Sequence, residues 1–285
     1  MELKTILDRL YESRSTAHLA NDPLSFCHRY EDPRDREIAG FIASSLAYGN
    51  VKAILACLES VFARMLPSPR RYAECFDAEA GLKEFAGFKY RFHDGRDLCA
   101  LFLAVSKMLE EADSIQEFFL AGHDADAQDI SAGLVEFTAA VLRFDYSAVF
   151  GCQAMPRESY FPLFLPSPAG GSACKRLCMF LRWMVRPADG IDLGLWQSVS
   201  PAQLVIPVDA HIRRISGFLG FTSRRQADWR MAREVTAALR QLDPLDPVKY
   251  DFSLCHLGIS EGCDGKNRDA CLECAIIDAC MGGLR

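Results

Sequence analysis

The segment CDGKNRDACLECAIIDAC, Cys263 to Cys280, carries four of the chain's twelve cysteines in the spacing C-x7-C-x2-C-x5-C. Thiolates at Cys263, Cys271, Cys274 and Cys280 are soft ligands that suit zinc or an iron–sulfur cluster. Structural zinc sites commonly pair two short C-x2–4-C knuckles. Here a single C-x2-C knuckle lies between arms of seven and five residues, a wrap that encloses a bulky [4Fe–4S] cubane better than one tetrahedral ion. Zinc and unmetallated thiols remain the alternatives. A bound metal would replace a hydrophobic core in a tail too short to build one.

Two more residues could do chemistry. Asp209, in IPVDAHIRRI, stands where a helix begins. There an Asp caps the first turn, worth about 1 kcal/mol. The helix dipole also keeps such a carboxylate ionised, which suits it to steady a developing oxocarbenium-like sugar. Lys175, in LPSPAGGSACKRL, is the only lysine between Lys107 and Lys249. An amine attacks carbon only when neutral, and a helix start beside Arg176 disfavours a cation. The plain alternative is a solvated surface lysine. Gly170, Gly171 and Ser172 precede it. Glycines admit a phosphate close to the backbone, and free N–H groups at a helix start bind it; an ordinary turn has the same composition.

Helical periodicity dominates the elements that must position these groups. Leu3, Ile6, Leu7 and Leu10 share one helical face, and DPRDREIAGFIASSLAYG has a helix start and a stop at Gly49. Residues 51–65, 97–111, 128–143, 224–241 and 247–257 read as helices. So do GGSACKRLCMFLRWMV, from near Ser172 to before Pro187, and DAHIRRISGFLG, ending at Gly220. Alternating strands are absent, and 66–96 and 144–170 are the least regular stretches. The fold class is all-α.

The 285 residues are half hydrophobic, enough for one large domain or two ordinary ones. Cys57, Cys75, Cys99, Cys152 and Cys255 lie among apolar residues, where thiols act as small buried hydrophobes. No apolar run is long enough to span a bilayer, and the acidic, amphipathic N-terminus lacks the apolar region of a secretory signal. A cytoplasmic, reducing location is expected. The net charge of −6 argues mildly against a nucleic-acid partner. Charge is uneven, however: from Lys175 to Arg233 ten basic residues face four acids, and only the binding face matters.

CDGKNRDACLECAIIDAC resembles the [4Fe–4S] loop of the endonuclease III branch of the helix-hairpin-helix glycosylases, with one residue more in the first arm, and FSLCHLGI resembles the helix leading into it. GGSACK and PVDAHIRRI resemble the family's hairpin and its VDTH-like segment. Lys175 follows Gly171 by four residues where that branch has two. The longer span to Asp209, and KRLCMFLRWM with Arg182 two turns on, are closer to the archaeal 8-oxoguanine glycosylase branch. The whole also resembles an uncharacterised bacterial family within the superfamily.

The resemblance implies a two-lobed fold, with a helical barrel at 36–186 and a discontinuous cluster domain of 1–35 plus 187–285. It implies a monomeric base-excision DNA glycosylase with AP-lyase activity, acting on double-stranded DNA with a damaged base, an oxidised purine such as 8-oxoguanine, or an abasic site. Lys175 and Asp209 would be catalytic; Cys263, Cys271, Cys274 and Cys280 would ligate the [4Fe–4S] cluster; Gly170, Gly171, Ser172 and Arg176 would hold backbone phosphate. REIAGFIASSLAYGN resembles the first barrel helix and makes Tyr48 and Asn50 candidate DNA contacts, although a helix C-terminus explains Gly49 and Asn50 equally. Arg213 and Arg214 suit phosphate or a solvated face. Trp183, Trp196 and Phe180 suit the core better than a flipped base. Asp251 suits a cap or surface pairing, and His211 suits packing. A non-catalytic iron–sulfur module that binds DNA or protein is the rival reading.

Overall fold

The computed structural model describes residues 2–13, 16–259, 262–264 and 268–282. The structure is helical, in agreement with the periodicity. The helices are α1 (Glu2–Glu12), α2 (Pro33–Leu46), α3 (Val51–Phe62), α4 (Pro69–Glu74) and α5 (Ala78–Glu84). A small antiparallel hairpin follows, β1 (Lys89–Tyr90) and β2 (His93–Asp94). Then come α6 (Gly95–Ala112), α7 (Ile115–Leu120), α8 (Ser131–Leu142), α9 (Ser147–Phe150), α10 (Lys175–Val185) and α11 (Ala210–Phe218). The last are α12 (Trp229–Leu242), α13 (Asp251–Ile259) and α14 (Arg268–Leu272). No helix among the described residues is long and apolar enough to cross a membrane.

The chain forms two compact units: Met1–Ala20 with Pro168–Arg285, and Asn21–Ser167. In the second, α2 is buried from Ile38 to Leu46. Asp32 caps it, with Pro33 in the first turn, where its missing N–H costs nothing. The helix ends at Leu46, short of Gly49, because Asn50 already caps α3 by accepting from Ala53 N at 2.8 Å. The stretch 66–96, irregular in sequence, holds two short helices capped by Ser68 and Asp77 and then the hairpin. Elements this short carry too few periods to be read from hydrophobicity. Of the scattered cysteines, Cys57 and Cys99 are buried, whereas Cys75 and Cys152 are exposed.

In the other unit, α10 is buried from Phe180 to Val185. Trp183, Trp196 and Phe180 are core, the last two meeting edge-on at 5.2 Å. Arg182 and Arg186 share that buried face and belong to an ion network. Arg182 Nε donates to Asp192 Oδ1 at 3.1 Å and its Nη1 to Asp251. Arg186 donates to Asp192, to Asp189 at 3.3 Å and to Asp246 at 2.9 Å. Two neighbouring guanidiniums inside a protein persist only with such pairing.

Candidate active site

The residues before α10 take a different path from the expected one. The helix begins at Lys175, not near Ser172. Gly171 has φ +74° and Cys174 φ +48°, and these left-handed residues interrupt any helix between them. Ser172 instead bridges Asp228, and Trp229 N donates to Gly171 O at 3.1 Å. Gly170 and Gly171 are exposed with open space around their Cα atoms. The Gly171 amide donates to Pro168 O at 2.9 Å, so that N–H is committed within the turn. The Cys174 thiol is pushed up to about 12 by burial, against a hydrogen bond with Ser172, and is therefore a poor nucleophile.

Asp209 is the N-cap of α11. Its Oδ1 accepts from His211 N and Ile212 N, both at 2.8 Å. Its Oδ2 faces Lys175 Nζ at 3.9 Å and accepts from Cys255 Sγ at 3.5 Å. The two oxygens thus divide the work: one holds the helix, the other meets the amine. At 3.9 Å the pair is a charge contact at the outer edge of the ion-pair range, longer than a hydrogen bond. The Lys175 side chain is 36% exposed and that of Asp209 16%, so an incoming group can reach the amine.

Helix α13 backs the pair. Gly258 lets α13 cross α11 closely, for a Cβ there would stand 2.2 Å from His211 Nδ1. His211 is packed, as its sequence context suggests, with Arg214 Nη2 3.2 Å from its Nδ1. Asp251, expected near the surface, is buried and bound by Arg182. Burial pushes its carboxyl up to about 6 against the pull of Arg182, with Asp209 and Asp192 adding to the rise. One turn on, His256 is pushed down to about 4 by burial and then by His18, Arg182 and His211; its ring stacks on His18 at 4.5 Å. The sequence reading missed Cys255 and the Arg182–Asp251 pair. The readable signal was an arginine on the apolar face of α10.

Arg176 is half-buried, and Arg213 is exposed with Nη1 donating to Arg225 O at 3.2 Å. Arg214 donates to Cys263 O and so ties the cysteine segment to α11. Tyr48 and Asn50 lie in the other unit. Asn50 is committed as a cap, and the Tyr48 hydroxyl donates to Tyr90 O at 3.2 Å and meets His93 Nδ1.

Cys263, Cys271, Cys274 and Cys280 are all half-buried, and no disulfide joins any of the described cysteines. Cys274 N donates to Cys271 O at 3.2 Å and Cys280 N to Ile277 O at 3.1 Å. The segment closes onto α11 where Met281 N donates to Phe218 O at 2.7 Å. Residues 265–267, in the first arm, lie outside the described residues. Among the described residues no three His, Cys, Asp or Glu side chains converge as metal ligands. The donor chemistry suits a thiolate-bound metal, whose binding commonly gathers such ligands.

A family model described as a protein of unknown function (DUF2400) matches residues 22–260. The chain belongs to the DUF2400 family. No curated protein and no solved structure matches it. The match overturns the expected place in the helix-hairpin-helix glycosylase superfamily, for no glycosylase family is found along the chain. The likeness rested on a capped helix, a glycine turn and a thiol spacing. Each is a local device that unrelated helical folds can reuse. The left-handed Cys174 between the turn and Lys175 also departs from a helix that opens directly from a hairpin. The DUF2400 match stops at 260, before the four-cysteine segment.

Proposed function

We propose that this DUF2400 protein is a lysine-dependent DNA base-excision enzyme, a glycosylase with AP-lyase activity. The observation that carries the reading is the 3.9 Å approach of Lys175 Nζ to Asp209 Oδ2, with the amine partly open to solvent. Schiff-base chemistry needs an amine nucleophile and a base within reach of its proton. Asp209 takes a proton from Lys175. The neutral amine attacks C1′ of the deoxyribose, and the damaged base leaves with the electrons of the glycosidic bond and takes the proton from Asp209, which becomes a carboxylate again. The C1′–O4′ bond then opens to the C1′=N imine, its oxygen taking the proton that the substituted amine sheds. At an abasic site the amine adds to the C1′ aldehyde instead, and water leaves. The resulting C1′=N imine acidifies the C2′ hydrogens. Asp209 removes one, C2′=C3′ forms, and the C3′–O bond breaks with the phosphate as leaving group. Water then hydrolyses the imine and returns the amine.

Of the basic excess between Lys175 and Arg233, Arg182 and Arg186 are paired with buried acids, but Arg213, Arg225, Arg230 and Arg233 are exposed and support a polyanionic substrate. An oxidised purine is the first lesion to test. Cys263, Cys271, Cys274 and Cys280 would hold a [4Fe–4S] cluster. When bound it would supply a rigid cross-link for the tail, whose Cys263 carbonyl Arg214 already grips beside the α11 helix of Asp209.

The test is borohydride trapping on an abasic duplex and on an 8-oxoguanine duplex. The expected result is a covalent adduct with wild type and none with Lys175→Gln. Duplex binding with no adduct and no released base would overturn the catalytic reading and leave a non-catalytic iron–sulfur DNA-binding module.

A further inference from the structure

In the Asn21–Ser167 unit, three large apolar side chains are left about half exposed, two of them in ring contact across the fold. Phe92 is 56% exposed, Tyr160 45% and Leu163 47%. The rings of Phe92 and Tyr160 meet at 5.6 Å between centroids, tilted by 31°. Phe92 sits at the tip of the β1–β2 hairpin, beside Arg91 at φ +54°. A non-glycine residue seldom holds that backbone conformation without support.

The support lies underneath. His93 is buried, stacks on Phe164 at 3.7 Å and donates from Nε2 to Tyr160 O at 3.0 Å. Its Nδ1 faces the Tyr48 hydroxyl, which also bonds the hairpin at Tyr90 O. Asp97 is buried, and one of its oxygens accepts from Ser159 Oγ at 2.8 Å, Tyr160 N at 3.1 Å and Phe161 N at 3.0 Å. Buried polar groups are costly unless satisfied in this way. Here they fix the backbone of Tyr160 and hold the strand that follows Phe92, while both rings are left about half exposed. Rings held in place yet about half exposed leave much of their apolar surface in water, and rigidity of this kind is what a binding surface needs.

Basic side chains stand beside the rings, with Asp94 across the hairpin paired to Arg96 and Glu158 before Tyr160 as the acids of the neighbourhood. Lys89 and Arg91 flank Tyr90 on the hairpin, and both are exposed. Lys89 Nζ donates to Phe92 O at 3.3 Å, which keeps the ammonium at the tip. The Arg91 side chain lies over Gly49, where a Cβ would meet it at 3.4 Å. Exposed aromatic rings interleaved with basic side chains match a base flanked by phosphates, because every base has a face to stack and every phosphate a charge to neutralise.

We infer that Phe92 and Tyr160 form a stacking platform for an unpaired nucleobase, with Arg91 and Lys89 on the flanking phosphates. The inference shares the nucleic-acid partner of the reading above but not its chemistry. It also places the aromatic contact beside Tyr48, whose ring braces the platform instead of reaching the ligand.

The experiment is fluorescence anisotropy of the full chain with a labelled single-stranded oligonucleotide and with the matching duplex, at two salt concentrations. Single strand is expected to bind more tightly than duplex. Phe92→Ala and Tyr160→Ala are each expected to weaken it by at least about fivefold, the range of one lost base stack. Phe92→Tyr and Tyr160→Phe keep a ring and are expected to keep the affinity, which separates stacking from misfolding. Arg91→Gln is expected to lower the salt slope by about one. Unchanged affinity in the double alanine variant overturns the platform, as it would if the rings served a protein partner; so does a wild type that binds no oligonucleotide. Ring-dependent binding with no borohydride adduct at an abasic site would leave the platform standing and remove only the lyase reading.

Discussion

Asp209 has two oxygens with separate partners, and substitution can part them. Oδ1 takes two amide hydrogen bonds of 2.8 Å from His211 and Ile212, while Oδ2 faces Lys175 at 3.9 Å. Asp209→Asn keeps an oxygen to cap α11 and loses only the charge. The cost is the interaction with the helix dipole, about 0.5 kcal/mol. The loss of a partly exposed ion pair adds little. Asp209→Ala loses the cap as well, a further cost of about 1 kcal/mol. With about 2–4 °C per kcal/mol for a chain of this size, the alanine variant should melt roughly 2–4 °C below the asparagine variant. Circular dichroism measures the midpoints. Borohydride trapping on an abasic duplex measures the other oxygen. Both variants should form adduct at least about 100-fold more slowly, the usual loss for a missing proton acceptor. If Asp209→Asn traps within about twofold of wild type, the residue is a helix cap and no more. If the two variants melt together, the division between the oxygens is wrong.

The buried titrating pair makes a second prediction. The Asp251 pKa rises from 3.8 to about 6 on folding, so its stabilisation is full below 3.8 and lost as pH climbs through about 6. His256 falls from 6.5 to about 4, so its stabilisation is full above 6.5 and lost as pH drops through about 4. The two slopes oppose each other between pH 4 and 6. Relative to wild type in urea titrations, Asp251→Asn should make stability rise more steeply with pH there, and His256→Asn should make it fall. Arg182→Met leaves Asp192 and Asp251 buried without that partner and should cost about 3–5 kcal/mol, part of which Asp251→Asn should restore. Gly258→Ala drives a methyl to 2.2 Å from His211 Nδ1 and should cost about 1–3 kcal/mol by overpacking. Protein purified without oxygen should be brown and carry iron and acid-labile sulfide in equal amounts, both lost in Cys274→Ser. Colourless protein with zinc and no sulfide would replace the cluster with a structural zinc.

The sequence by itself determined the helices, because a 3.6-residue apolar period and an Asp, Asn or Ser at a helix start are local facts that need no partner. Asp209 is legible as a cap for that reason, and the four-cysteine spacing as a donor set. Family membership was not legible in the same way, since motifs of a few residues are shared by unrelated folds. Only the tertiary structure decided what meets what. Lys175, at the start of α10, and Asp209, at the start of α11, come within 3.9 Å although 33 residues separate them. Arg182, in sequence only a basic residue on an apolar helix face, turns inward to Asp192 and Asp251. Phe92 and Tyr160, which no local pattern marks out, are left about half exposed. The physical reason is the same in each case: burial and charge pairing are set by neighbours distant in the chain, and no local pattern carries them.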